Sequence, residues 1–256
     1  MSKFFQNKVV LVTGASSGFG KAIALQFAEH GALLALTGRN KVNLEKVATE
    51  CKNKGAKDVL MILADFGKLE EIKNVAEKTI EKYGKLDVLV NNAGVVQFGN
   101  LENSKLEDLD WQLNINVKAV VYLTQLLIPH LVISKGNIVN ISSVSSTMQF
   151  PQALFYGLTK SALDQFTKTI ALEYAPKGVR VNSVNPSVVP TALLRTVPGG
   201  IPDDATYEKV SSVHPIGRNG TVDEVASAVL FLASDSSAWT TGQCLMLDGA
   251  RSLNVK

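Results

Sequence analysis

The sequence has 256 residues, of which 46% are hydrophobic and 19% are charged, and its formal net charge is +3. This composition excludes disordered and fibrous proteins, and the length suits one α/β domain with a single buried core. The basic residues form no dense run, so nucleic acid is not a favoured partner.

Short apolar runs alternate with longer amphipathic stretches along the chain. The runs predict β-strands at residues 9–12, 33–37, 59–63, 86–90, 137–141, 179–184 and 243–247. The amphipathic stretches predict helices at 21–30, 42–54, 69–83, 106–131, 153–175 and 222–233. Nearly continuous apolar strands are typical of a sheet covered on both faces. We therefore predict a doubly wound, Rossmann-like α/β fold: a single domain over residues 1–256, with a mostly parallel seven-stranded sheet flanked by helices.

A glycine-rich turn at residues 13–20 joins the first predicted strand to the first helix. Gly14 permits the tight turn, Gly18 lets the backbone approach a pyrophosphate, and Gly20 lets the helix pack closely on the strand. Free amides at the helix N-terminus favour an anion. A glycine cluster alone is a weak signal, but its place between a strand and a helix favours a dinucleotide site over an ordinary turn.

The end of the second predicted strand bears on which dinucleotide binds. An NAD site places an acidic residue here, where it binds the ribose 2′-hydroxyl. This chain has Gly38 at that point, followed by Arg39, which can hold a 2′-phosphate. We expect NADP(H) to be preferred over NAD(H); the alternative is that Arg39 only faces solvent.

Tyr156 and Lys160 lie four residues apart on a predicted helix, and Ser143 precedes the tyrosine by thirteen residues. A four-residue step places two side chains on one helical face, about 5–6 Å apart at Cβ. A neighbouring ammonium stabilises a phenolate, so we expect Lys160 to lower the pKa of Tyr156. Tyr156 would then act as a general acid/base near neutral pH.

Residues 190–215 follow a predicted strand and hold four of the eight prolines together with Gly199 and Gly200. This composition predicts a long loop with a short helix, and loops after strands line the ligand crevice of an open α/β sheet. We interpret the segment as a substrate lid; the alternative is an ordinary surface excursion. Its apolar residues, Leu193, Leu194, Val197 and Ile201, favour an apolar substrate slightly.

Four further residues flank the predicted site loops: Phe98, Gln149, Phe150 and Phe155. They could line an apolar substrate pocket or belong to the core, and the sequence does not favour either. His214 precedes a proline in a loop, has no evident carboxylate partner, and is interpreted as structural or exposed rather than catalytic.

Together these motifs resemble the short-chain dehydrogenase/reductase family, in its subtype of about this length, over nearly the whole chain. The matching residues are the turn at 13–20, the run Asn91-Asn92-Ala93-Gly94, Asn116, Ser143, Tyr156 with Lys160, and Asp248-Gly249. The resemblance is to NADP-dependent carbonyl and 3-oxoacyl reductases. It implies an oxidoreductase that transfers a hydride between NADP(H) and the carbonyl or alcohol carbon of a small, fairly apolar substrate.

The resemblance also implies roles for four catalytic residues. Tyr156 would protonate the substrate oxygen during reduction, and Ser143 would hydrogen-bond the substrate carbonyl. Lys160 would lower the pKa of Tyr156 and hold the nicotinamide ribose. Asn116 would position a water that links Lys160 to solvent.

For the cofactor, the resemblance implies contacts from Gly14, Ser16, Ser17, Gly18, Phe19, Gly20, Arg39, Asp65, Asn91, Ala93, Gly94, Tyr156, Lys160, Pro186, Val189 and Thr191. Asp65 would contact the adenine, and Thr191 would hold the nicotinamide carboxamide. Phe19 and Ser187 stand where the family more often has a smaller aliphatic residue and a glycine. These departures support an alternative function, a catalytically weak NADP(H)-binding sensor or scaffold.

The substrate stays open among 3-oxoacyl thioesters, steroids, sugars, quinones and other foreign carbonyls. Two cysteines cannot form a disulfide framework and match no metal-site spacing, so we expect a reducing compartment and no metal. The N-terminus lacks the apolar core of a signal peptide, and the apolar stretch 117–133 is broken by polar residues. We expect a cytoplasmic protein without membrane or nucleic-acid partners. The resemblance implies a homotetramer formed through helices 106–131 and 153–175.

Overall fold

The structure, a computed structural model, describes residues 4–201 and 203–254. Its strands are β1 (Val9–Val12), β2 (Leu33–Gly38), β3 (Asp58–Leu63), β4 (Val88–Asn91), β5 (Asn137–Ile141), β6 (Arg180–Pro186) and β7 (Cys244–Leu247). They form one seven-stranded sheet in the order β3-β2-β1-β4-β5-β6-β7, and every pairing is parallel. The predicted doubly wound sheet is confirmed, with strand ends shifted by one or two residues.

The helices are α1 (Gly18–Glu29), α2 (Lys41–Lys54), α3 (Leu69–Tyr83), α4 (Leu106–Leu113), α5 (Ala119–Ser134), α6 (Leu154–Tyr174), α7 (Ala192–Thr196), α8 (Asp204–Ser211) and α9 (Val222–Ala233). They cover both faces of the sheet. In β1, Val10 and Val12 pack into the core beside α1 and α9, whereas Val9 and Leu11 pack into the core beside α3 and α5. This alternation is the two-residue period of a strand buried on both faces.

The strand order reverses at β1, which lies between β2 and β4. In an open α/β sheet, ligands bind outside the carboxyl ends of the strands at such a reversal. The carboxyl ends of β1, β4 and β5 therefore define where a functional site is expected.

The predicted helix at 106–131 is divided in the structure. A π-helical segment, Asn114–Lys118, separates α4 from α5. Within it, Asn116 is fully buried, and its amide both accepts from Val95 N and donates to Val95 O, each at 2.8 Å. Periodicity could not reveal this break, because a single wide turn leaves the apolar pattern on both sides intact.

By length and composition alone, Leu106–Ser134 is apolar enough to cross a membrane, and 39% of its most apolar window is buried in this fold. Leu123, Leu127 and Leu131 of α5 are fully buried against the sheet. These contacts identify α5 as a core helix of the domain.

The segment 190–215 holds two short helices, α7 and α8, where the sequence predicted one. Tyr207 of α8 is buried, its hydroxyl accepts from Thr191 N at 3.4 Å, and the guanidinium carbon of Arg195 lies 5.3 Å from its ring centroid. Tyr207 thereby anchors this segment beside the end of β6.

Candidate active site

The turn between β1 and α1 is shaped for close contact with an anion. Gly14 and Gly18 adopt left-handed conformations, with φ of 65° and 52°. Ser17 is the N-cap of α1, its side chain caps no amide, and the first turn has no acidic residue. The amides and the positive end of the helix dipole therefore remain available to a phosphate group.

The turn packs tightly against Gly20, and there is no room for a side chain at this position. A Cβ at Gly20 would lie 2.3 Å from Gly14 O and 2.5 Å from Asn92 Nδ2. The second of these atoms donates to Thr13 O at 2.7 Å and to Gly14 O at 3.2 Å, which ties the end of β4 to the turn. Close packing, rather than ligand contact, explains the glycine.

Replacing Gly20 with alanine is expected to destabilise the fold by about 1–3 kcal/mol, since the added methyl must displace backbone. It should also weaken dinucleotide binding, because the turn cannot keep its shape. Gly220→Ala is the matched control: its Cβ would meet mainly Val189 Cγ2, a side-chain methyl, at 3.0 Å. Urea midpoints and cofactor titrations compare the two variants. Equal effects would contradict this account of the turn.

A cleft of about 590 Å³ opens at the carboxyl ends of the strands. Of the predicted site residues, it is lined by Gly14, Ser16, Ser17, Gly18, Phe19, Arg39, Asp65, Ala93, Gly94, Tyr156, Lys160 and Thr191. Its other lining residues are Gly38, Asn40, Ala64, Phe66, Asn92, Val95, Ile115, Ile141, Ser142, Ala192 and Leu193. Three of these already stand in the sequence motifs: Gly38 at the end of the second strand, Asn92 in the Asn-Asn-Ala-Gly run, and Leu193 among the apolar residues of segment 190–215.

Six predicted residues do not line the cleft: Gly20, Asn91, Asn116, Ser143, Pro186 and Val189. The side chain of Asn91 is buried and donates to Asn140 Oδ1 at 2.9 Å, so any contribution to the cofactor channel would come from its backbone. Successive residues of a strand point to opposite faces, so Asn92 rather than Asn91 faces the turn. Val189 is likewise buried in the apolar core, and Pro186 is the last residue of β6.

Tyr156 and Lys160 lie on one face of α6, as predicted. Lys160 Nζ is 5.5 Å from the centroid of the Tyr156 ring and donates to Ile141 O at 2.8 Å. Ser143, at the end of β5, lies within hydrogen-bonding reach of the Tyr156 hydroxyl. Gly94 adjoins the pair: a Cβ there would lie 3.3 Å from Asn116 Oδ1 and 3.8 Å from Lys160 Nζ. All four predicted catalytic residues therefore meet beside the cleft.

The expected acidification of Tyr156 by Lys160 is not found. Burial raises the pKa of Tyr156 to about 12, and the hydrogen bond with Ser143 lowers it only in part. Burial also lowers the pKa of Lys160 to about 8, against the opposing charge of Asp164. Desolvation dominates here because both the phenolate and the ammonium lose water in the same enclosed site. At neutral pH, Tyr156 is consequently a proton donor beside a charged lysine.

A buried polar network that was not predicted from the sequence contacts the backbone of Ser143. Asn185 Nδ2 lies 2.8 Å from Asp164 Oδ2, 3.0 Å from Ser146 Oγ and 3.2 Å from Ser143 O. Ser183 Oγ in turn donates to Asn185 Oδ1 at 2.7 Å. The only sequence signal was Asp164, one helical turn beyond Lys160. The network fixes the loop that carries Ser143 to β6 and α6.

The chain is similar over its length to known oxidoreductases. The family model described as enoyl-(acyl carrier protein) reductase matches residues 14–250. A 3-oxoacyl-[acyl-carrier-protein] reductase of Thermotoga maritima is 38% identical over 245 residues, which cover 95% of this chain and 97% of the relative. A glucose 1-dehydrogenase of Gluconobacter oxydans is 38% identical over 251 residues, which cover 97% and 93%.

Solved structures are similar over nearly the whole chain as well. A 3-ketoacyl-(acyl-carrier-protein) reductase from Brucella melitensis, complexed with NADH, has a TM-score of 0.88 and 34% identity, covering 96% of this chain and 99% of its own. Levodione reductase has a TM-score of 0.91 and 27% identity, covering 98% and 99%. With these similarities and the site geometry, the chain belongs to the short-chain dehydrogenase/reductase family, as its motifs indicated.

Proposed function

We propose that this protein is an NADP(H)-dependent reductase of carbonyl compounds, able to catalyse the reverse alcohol oxidation. The observation that carries the proposal is the meeting of Tyr156, Ser143 and Lys160 at the end of a cleft that begins at the glycine turn. One end of this cleft suits a phosphate group, and the other holds a proton donor.

The shape of the cleft supports a dinucleotide. Gly14 and Gly18 have no side chain, so the backbone amides of the turn can approach phosphates closely. Asp65 lines the cleft, and its Oδ1 accepts from Gly67 N at 2.9 Å. In this proposal Asp65 would contact the adenine. Thr191 would meet the nicotinamide carboxamide, and Lys160 the adjoining ribose. The bound cofactor would supply the hydride; the protein must orient the substrate and manage one proton.

Tyr156 would donate the proton that the reaction requires. As a carbonyl is reduced, its oxygen gains negative charge, and the hydroxyls of Ser143 and Tyr156 would donate hydrogen bonds to it. Tyr156 then gives up its proton, and its phenolate forms beside the ammonium of Lys160. Because the pKa of Tyr156 is about 12, the hydroxyl is fully protonated at pH 7, which favours the direction of reduction. Asn116 would take part through the proton relay that the family resemblance implies.

Preference for NADP(H) is supported at the end of β2. Arg39 is exposed on the cleft wall, where its guanidinium can reach a 2′-phosphate. At Gly38, a Cβ would lie 3.1 Å from Ser16 Oγ and 3.2 Å from Ser16 Cβ. An acidic side chain that could bind a 2′-hydroxyl would therefore crowd the glycine turn.

Arg39→Ala is expected to raise the KM for NADPH about tenfold and to leave the KM for NADH within about twofold. The size follows from loss of a charge-assisted contact at an exposed position. Lys41→Ala is the control, since Lys41 carries the same charge nearby and lies 3.9 Å from Glu45. Initial rates of each variant with NADPH and with NADH measure the two KM values. An equal change in both KM values would contradict a contact between Arg39 and the 2′-phosphate.

The substrate site would extend from Tyr156 toward the segment 190–215. Gly199 adjoins Phe98, whose Cβ is 3.5 Å from the position of a Gly199 Cβ, and Leu193 lines the cleft. Apolar walls of this kind favour a fairly apolar carbonyl compound. Exposed apolar residues on α4 and α6, among them Trp111 and Leu158, support a homotetramer formed through those helices.

Initial rates with NADPH and NADH against a panel of aldehydes, ketones, quinones and 3-oxoacyl thioesters test this proposal. We expect NADPH-dependent reduction of at least one class. Binding of NADPH without reduction of any carbonyl would overturn the proposal and favour a sensor or scaffold.

A further inference from the structure

The side chain of Arg251, near the C-terminal end of the described residues, contacts two loops from earlier in the chain. It follows β7 and Ala250, whose left-handed conformation (φ 69°) turns the chain. Its Nη1 donates to Ser187 Oγ at 3.2 Å, and its guanidinium carbon lies 4.7 Å from the centroid of the Phe150 ring. The side chain thus bridges two loops that are far apart in the sequence.

Both of these loops are neighbours in the chain of elements that carry the reactive residues. Ser187 directly follows β6, and Phe150 lies between Ser143 and Tyr156 along the chain. Asn185, two residues before Ser187, hydrogen-bonds Ser143 O at 3.2 Å. Arg251 is absent from the lining of the dinucleotide cleft. Through Ser187 and Phe150, Arg251 adjoins the loop after β6 and the loop before α6, outside the lining of the cleft proposed for the cofactor.

Arg251 carries a positive charge and has no salt-bridge partner in the part of the chain that the structure describes. Among residues 4–201 and 203–254, no carboxylate oxygen lies within 4.0 Å of its guanidinium nitrogens. The carboxylate of Asp248 attracts the Arg251 guanidinium from a distance and does not pair with it directly. Its oxygens instead accept hydrogen bonds from Ala250 N at 3.1 Å and from Ser252 N at 2.7 Å. Placing a cation in a half-buried position costs free energy unless an anion pairs with it.

The two side chains with which Arg251 makes the contacts described above, Ser187 and Phe150, are uncharged. Ser187 Oγ lies 2.9 Å from Nε2 of His214, which is buried. Burial and the charge of Arg251 both lower the pKa of His214, so this imidazole is neutral at pH 7. The guanidinium consequently faces a hydroxyl, a neutral ring and a phenyl group. A guanidinium has five N–H donors in a planar fork that matches a carboxylate, and one hydroxyl occupies few of them.

We propose that Arg251 is the anion-binding residue of the substrate site, and that the substrates are carbonyl compounds carrying a carboxylate, reduced to hydroxy acids. The carboxylate pairs with Arg251 while the ketone oxygen meets Ser143 and Tyr156. The inference rests on the proposed carbonyl reduction for its reaction, and on Arg251 alone for its choice of substrate. Phe150 and Ser187 are positioning residues that hold the guanidinium in place.

The test compares keto acids with their uncharged methyl esters, such as levulinate and methyl levulinate, in NADPH-dependent reduction. Wild-type protein should favour the acids in kcat/KM. Arg251→Gln should lower kcat/KM for the acids about 10- to 100-fold, mainly through KM, and leave the esters within about twofold. Lys177→Gln is the control, because it removes a cation 4.4 Å from the Tyr174 ring centroid, away from the site.

A second measurement does not need turnover. Calorimetry follows the binding of phenylacetate and of its neutral amide to the NADP⁺-loaded protein. The variant Arg251→Lys keeps the charge but not the planar fork of donors. It is expected to bind phenylacetate about three- to tenfold more weakly than the wild type. If carbonyls are reduced but acids and esters lose equally in Arg251→Gln, the inference is overturned and the proposed function stands. If phenylacetate binding depends on Arg251 while no carbonyl is reduced, the anion site stands and the proposed reaction fails.

Discussion

Replacing Tyr156 with phenylalanine is expected to lower kcat for carbonyl reduction at least about 1000-fold, with the dissociation constant of NADPH changed by no more than about twofold. A positioned general acid contributes roughly 10²–10⁴ in rate, and an oxyanion donor about 10²–10³. The Tyr156 hydroxyl serves as both. The ring itself, which lines the cleft, is preserved in phenylalanine, so the cofactor should still bind.

Tyr174→Phe is the matched control, because Tyr174 is the last residue of the same helix, α6, far along the axis from the cleft. Initial rates and a fluorescence titration with NADPH distinguish catalysis from binding. Turnover of Tyr156→Phe within tenfold of the wild type would show that another group supplies the proton.

Lys160→Met is expected to abolish measurable turnover and, at pH 7, to stabilise the fold by about 2 kcal/mol. Lys160 is buried, and its pKa falls from 10.5 to about 8 because burial disfavours the charged form. By this shift, keeping Lys160 charged at pH 7 costs about 3 kcal/mol, and replacement with methionine removes that cost. The replacement also removes the hydrogen bond to Ile141 O, which stabilises the fold by about 1 kcal/mol. Activity is lost because the phenolate of Tyr156 no longer forms beside a cation.

The pH dependence of this difference follows from proton binding. The folded state binds fewer protons than the unfolded state between about pH 8 and pH 10.5, so wild-type stability rises with pH across that interval. The advantage of Lys160→Met should therefore be full below pH 8 and vanish by about pH 10.5. Reduction by the wild type should also decline above about pH 8, as Lys160 loses its charge.

Urea unfolding of wild type and Lys160→Met at pH 7 and pH 10 measures this difference. Lys168→Met is the control, because Lys168 lies on α6 but is exposed. A variant less stable than the wild type at pH 7 would contradict the pKa argument.

The fold and much of the site follow from local patterns in the sequence. Strand ends, the glycine turn, and the common face of Tyr156 and Lys160 depend on neighbouring residues, whose spacing is visible in the chain. Which of Asn91 and Asn92 faces the cleft could not be predicted, because a one-residue shift at a strand end reverses the direction of a side chain, and the sequence does not show where β4 ends.

Properties that depend on depth or on distant contacts could not be predicted. The pKa of Tyr156 is set by desolvation, which becomes visible only once β5 and α6 enclose the phenol. The contacts of Arg251 with Ser187 and Phe150 join segments 64 and 101 residues away. No periodicity connects such positions.

The transfer of deuterium from NADPH that carries two deuterium atoms at C4 of its nicotinamide, so that a hydride from either face carries the label, tests the central claim most directly. With a carbonyl substrate found in the panel, mass spectrometry of the alcohol should show one deuterium on the former carbonyl carbon for the wild type. Tyr156→Phe, with the same labelled cofactor bound, should yield no detectable labelled alcohol. Oxidation of NADPH without label in the product, or equal labelling by both proteins, would contradict hydride transfer assisted by the Tyr156 proton.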